Sequence, residues 1–182
     1  MDGVVTQVVL LCPDCGVHWY DGAESPTCTA AEHRDRYQRF EVHRHRTVVV
    51  LPDGTPVTAV SFDAADPYGR DSGAVPDYGL YLDARWAPPW AHDHVDWPDF
   101  GVPGDPAQLV DALRSLLDRA RRGERVEVGC LGAHGRTGTA LACLAVLTGH
   151  PAADAVTWTR TTYCPKAVET PEQEAFVATS HG

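Results

Sequence analysis

The chain has 182 residues, 43% of them hydrophobic, and a formal charge of −10, which suits one compact domain plus a small appendage. Excess acidity argues against a protein that coats nucleic acid, because phosphate backbones are held by neutralising cations. No apolar run approaches the length of a membrane span. The short stretch Val8 to Leu11 lacks a basic flank, so neither a span nor a signal peptide is expected and the reading is cytoplasmic.

Val4 to Leu11 reads as a strand leading into Cys12-Pro13-Asp14-Cys15-Gly16, followed by a polar, turn-rich stretch through Cys28. Without a secretory signal, metal binding or catalysis is the expected use of cysteine, rather than a disulfide framework. Cys12-x2-Cys15 followed by Cys28-x4-His33 places three thiolates and an imidazole at spacings that suit tetrahedral zinc. His18, His43 and His45 compete with His33 for the fourth place, and a redox pair or free core thiols are the alternatives. An element of residues 1–46 has no core of its own, so a structural zinc would supply its folding energy. From His33 to Arg46, arginines 34, 36, 39, 44 and 46 mark a solvated face or a contact for an acidic partner.

Residues 47–182 read as a second unit. Thr47 to Leu51 and Val57 to Phe62 are β-branched runs joined by Pro52-Asp53-Gly54-Thr55, a hairpin signal. Asp63 to Asp77 is a loop, and Gly79 to Ala84 a further strand. Pro88 to Pro103 is too rich in proline for a regular helix and too rich in tryptophan for an idle linker. Asp105 caps a helix with Pro106 in its first turn, Leu109, Leu113, Leu116, Leu117 and Ala120 on one face, and Gly123 as its stop. Arg125 to Val128 is a short buried strand. Gly129 to Gly138 then forms a glycine-punctuated loop before an apolar helix from Thr139 to Thr148. A helix follows Pro151, and another starts at Thr170-Pro171-Glu172-Gln173, a capping box.

Strand, loop, helix is the arrangement that binds phosphate, since inward N–H groups and the helix N-terminus both attract an anion. In that loop Cys130 faces the anion, residues Leu131, Gly132, Ala133, His134 and Gly135 line it, and the fork of Arg136 can grip two oxygens. The N–H groups, the helix dipole and Arg136 should together lower the Cys130 pKa and make the thiolate a nucleophile. The bland alternative is a small buried core thiol, which is also the reading of Cys143 and Cys164.

Cys130-x5-Arg136-Thr137 resembles the signature loop of the protein tyrosine and dual-specificity phosphatase superfamily. Trp97-Pro98-Asp99-Phe100-Gly101-Val102-Pro103 resembles its general-acid loop, and Ala167 to Val177 is similar to a C-terminal segment of small bacterial-type members. The resemblance implies an α/β fold in three layers around a mostly parallel sheet, with Cys130 as nucleophile and Asp99 as general acid. It further implies that Thr137 donates to the cysteine sulfur and that Gln173 positions the hydrolytic water. Asp96 is the competing carboxylate for the acid, and capping of Thr170 is the competing role for Gln173. Gly129 departs from the pattern by replacing the usual histidine before the nucleophile.

The expected activity is hydrolysis of phosphoprotein, phosphotyrosine first and dual specificity second, with no cofactor for catalysis. A catalytically weak phosphate-binding or zinc-mediated interaction module is the alternative. A sulfurtransferase is disfavoured by the pairing of Asp99 with Arg136-Thr137, and an RNA 5′-phosphatase by net acidity.

Overall fold

The computed structural model describes residues 5–11, 18–20, 38–61 and 75–179. Two sheets are present among them. In the first, β1 (Val5–Leu11) lies between β2 (His18–Tyr20) and β3 (Gln38–Arg44), antiparallel to both. The β3 strand falls in the Arg/His segment, where the charge pattern suggests a solvated face or a contact for an acidic partner.

The second sheet has five strands in the order β4-β5-β8-β6-β7, comprising Arg46–Val50, Pro56–Ser61, Val126–Cys130, Tyr78–Tyr81 and His92–His94. Only β4 with β5 is antiparallel. Their turn forms as the Asp-Gly pair predicts: Gly54 adopts φ +89°, and Leu51 N–H donates to the Thr55 carbonyl at 2.9 Å. A left-handed backbone at this point is what glycine permits.

Helix α1 (Pro106–Arg121) starts where expected, because the Asp105 carboxylate accepts from the N–H groups of Ala107 and Gln108. Its leucines pack onto β6 and β8. Helix α2 (Gly135–Leu147) is apolar nearly all round and is buried along residues 135–145, with α1, α3 (Ala152–Thr162) and α4 (Pro171–Thr179) packed against it. Val126, Val128 and Cys130 face this core by strand alternation. Tyr81, Val60 and Trp86 form a smaller cluster, in which the Tyr81 hydroxyl donates to the buried Glu127 carboxylate at 2.6 Å.

Several boundaries differ from the sequence reading. The strand before the signature loop runs on to Cys130, and α2 begins at Gly135 rather than Thr139, leaving only residues 131–134 as loop. Glycines 135 and 138, expected to punctuate the loop, are instead the points where α2 is approached closely. A Cβ on Gly138 would sit 2.7 Å from the Val168 nitrogen, and one on Gly135 would strike the Glu169 carboxylate. Strand β7 lies inside the Trp/Pro segment, and the strand read from Gly79 to Ala84 ends at Tyr81.

Candidate active site

Parallel strands place the functional residues at one end of the sheet. Cys130 closes β8, and the neighbouring strand β6 delivers Leu82 and Asp83 beside it, with Leu82 N–H donating to the Gly129 carbonyl at 2.8 Å. Ala133 takes φ +57°, an unusual conformation for alanine, and turns the loop into α2. Its carbonyl accepts from the Tyr163 hydroxyl at 2.7 Å.

Cys130 is 2% exposed, and the Thr137 hydroxyl donates to its Sγ at 3.1 Å. Burial pushes the thiol up, opposed by that hydroxyl, the Arg136 charge and the N–H groups of Thr137 and Ala133. The net direction is upward. This corrects the sequence-based expectation of a lowered pKa, because complete desolvation of the sulfur outweighs the groups that favour its charge.

Arg136, 3% exposed, is the hub. Its Nη1 donates to the carbonyls of Leu82 and Trp97 at 3.0 and 3.1 Å. Its Nη2 meets Asp83 at 3.2 Å and Asp99 at 3.4 Å, and its buried Nε has no hydrogen-bond partner among the described residues. A cleft of about 370 Å³ opens here, lined by Arg136, Asp99, Asp83, Trp97 and Arg85 among others. Asp99 is half exposed, on the segment anchored through the Trp97 carbonyl. Asp96 also lines the cleft, but its carboxylate accepts from Ala84 N–H at 3.1 Å.

Gln173 is fully buried and committed at both ends of its amide. Oε1 accepts from Glu169 N–H at 2.8 Å, and Nε2 donates to the Gly101 carbonyl at 3.1 Å. Its own N–H donates to Thr170 Oγ1 at 3.2 Å, so the cap exists, with the side chain reaching one residue further back than a capping box requires.

Cys130, Arg136, Thr137 and Asp99 are therefore brought together, and residues 131–135 form the loop between them and α2. Cys12, Cys15, Cys28 and His33 lie outside the described residues. Of their competitors, His45 is engaged elsewhere, its ring packed against His134 and Tyr163. Sequence reasoning missed Asp83, which is bound by both Arg85 and Arg136, and whose signal was its place just past the carboxyl end of a parallel strand. It also missed Glu169, whose carboxyl burial pushes up, aided by the nearby Asp99 charge and opposed by Gly135 N–H and Arg136.

No family model matches the chain. The crystal structure of Tk-PTP in its active form superposes with a TM-score of 0.57 at 27% identity, covering 69% of this chain and 90% of that one. Human DUSP28 superposes with a TM-score of 0.57 at 16% identity, over 74% of this chain and 95% of that one. The fold is that of the protein tyrosine and dual-specificity phosphatase superfamily. The uncharacterized protein MJECL20 of Methanocaldococcus jannaschii is 36% identical over 111 residues, 54% of this chain and 71% of that protein. The chain belongs to the same family as this archaeal protein.

Proposed function

We propose that the chain is a phosphomonoesterase acting on phosphoprotein, phosphotyrosine first, through a phosphocysteine intermediate. The observation that carries this reading is that Arg136 acts on Cys130 by its charge and meets the half-exposed Asp99 through Nη2, with Nε unpartnered among the described residues. A phosphate can take Nε and Nη2 as a bidentate pair and displace Asp99 toward the leaving oxygen.

Cys130 attacks as the thiolate, whose formation Arg136, Thr137 and the loop N–H groups favour against the cost of burial. As the S–P bond forms, the P–O bond to the substrate alcohol or phenol breaks and Asp99 gives that oxygen its proton. Water then attacks phosphorus, Asp99 takes a proton from it, and inorganic phosphate leaves with the thiolate restored. The Thr137 hydroxyl steadies the departing sulfur. Gln173 fixes the acid loop through Gly101, a use of its amide that competes with positioning the water. In this reading residues 47–182 are the catalytic unit, and residues 1–46 an accessory element built on zinc at Cys12, Cys15, Cys28 and His33. Metal analysis of protein never exposed to chelator tests the zinc element, and absence of zinc overturns it.

One observation favours a second reading, a phosphate-binding module without turnover: Cys130 is 2% exposed, and burial disfavours its thiolate. Acid-quenching the protein during turnover of an aryl phosphate and mapping the modified peptide by mass spectrometry separates the two. A phosphoryl group on Cys130 supports the enzyme, whereas binding without modification or product supports the module.

A further inference from the structure

Behind the signature loop, three side chains with no part in the proposed chemistry converge from distant segments. His45 is the single residue between β3 and β4, His134 ends the loop before α2, and Cys164 follows α3 by two residues. His45 and Cys164 are each 3% exposed, and one donor atom from each of the three lies within 4.8 Å of the others. The two imidazole Nε2 atoms are 3.1 Å apart, with the rings nearly perpendicular.

We propose that His45, His134 and Cys164 form a binding site for a zinc-class divalent ion that braces the signature loop from behind. Two imidazoles and a thiol are a donor set for zinc, and a poor one for magnesium or calcium. Nitrogens sharing a tetrahedral zinc stand about 3.3 Å apart, close to the separation seen. Nitrogen and sulfur sharing such a zinc stand about 3.6 Å apart, so the thiol completes the set by closing at most about 1.2 Å.

Three protein ligands leave a fourth position for water. The neighbourhood is already arranged to hold the His134 segment: its carbonyl accepts from Gly138 and Val168 N–H, and Tyr163, packed on His45, holds the next carbonyl back at Ala133. An ion here would tie the start of the five-stranded sheet and the end of α3 to the loop between Cys130 and Arg136. The bland alternative is a plain hydrogen bond between two neutral histidines, with Cys164 as a buried core thiol.

The proposed ligands include none of the N-terminal cysteines and do not depend on the phosphatase reading, so the test is spectroscopic. Full-length protein carrying Cys12→Ser and Cys15→Ser is titrated with Co²⁺, and thiolate-to-cobalt charge transfer and tetrahedral ligand-field bands are recorded before displacement by Zn²⁺. The expected result is one equivalent bound, with the bands abolished by Cys164→Ser and retained in Cys143→Ser and Cys130→Ser. His45→Gln should weaken binding by roughly tenfold or more, since even outer partners of a metal cost that much. Should the double variant fail to fold, the same comparison is made by zinc content, Cys164→Ser holding one equivalent less than the otherwise native chain. Identical bands or zinc content in Cys164→Ser, or no binding in the folded protein, would overturn the site and leave a histidine hydrogen bond.

Discussion

The Gln173 side chain donates to the Gly101 carbonyl at 3.1 Å, joining the start of α4 to the loop that carries Asp99. Gln173→Leu removes this link and the partner of Glu169 N–H together. A looser acid loop should lower kcat by about tenfold, the equivalent of one hydrogen bond. The loss should be larger for phenyl phosphate than for para-nitrophenyl phosphate, because the poorer leaving group needs the proton more. Equal losses on both esters would show that Gln173 acts elsewhere than on the acid.

Asp83 holds Arg136 through Nη2, the nitrogen that also meets Asp99. Hydrogen bonding from Arg85, with the Arg136 charge, keeps the Asp83 carboxyl below its usual range despite burial. A folded-state pKa below the unfolded one contributes stability that is present above the ordinary carboxylate range and lost as pH falls through the folded value. Asp83→Asn should therefore lower Tm at neutral pH, by a margin that shrinks toward strong acid, and reduce kcat/KM by about a hundredfold through misplacement of Arg136. A Tm difference that stays constant from neutral to acid pH would contradict the assignment.

Tyr163 supports the loop at its most unusual residue, Ala133. Tyr163→Phe keeps the ring and leaves a buried carbonyl without its donor, which should cost about 1 to 3 kcal/mol. Urea unfolding reads this as a lower midpoint at unchanged slope. An unchanged midpoint would mean that the hydroxyl contributes nothing to the loop.

Much of this site was legible because its chemistry is local in sequence. Cys130, Arg136 and Thr137 fall within one strand-loop-helix unit, and Asp99 sits on a segment whose prolines disfavour a regular helix and whose tryptophans mark it as more than a linker. The hairpin at Gly54 and the cap at Asp105 were equally local. The roles of Asp83, Tyr163 and Glu169 were not legible, and His45 was legible only as a competing zinc ligand, since each matters through a partner brought near by the parallel pairing of β6 with β8 or by the packing of α3 and α4 on α2. The start of α2 was missed for a related reason. Glycines 135 and 138 lower helix propensity, but tertiary contact with Glu169 and Val168 demands them there. The direction of the Cys130 pKa also depended on a quantity absent from the sequence, the completeness of its burial.

The most direct test of the account is steady-state hydrolysis of para-nitrophenyl phosphate, with reductant and no added divalent metal, by wild type, Cys130→Ser and Asp99→Ala. Turnover is predicted for wild type, none for Cys130→Ser, and a kcat lower by roughly two to four powers of ten for Asp99→Ala with substrate binding retained. Wild-type turnover in Cys130→Ser, or a folded wild type that binds phosphate without turning over, would contradict it.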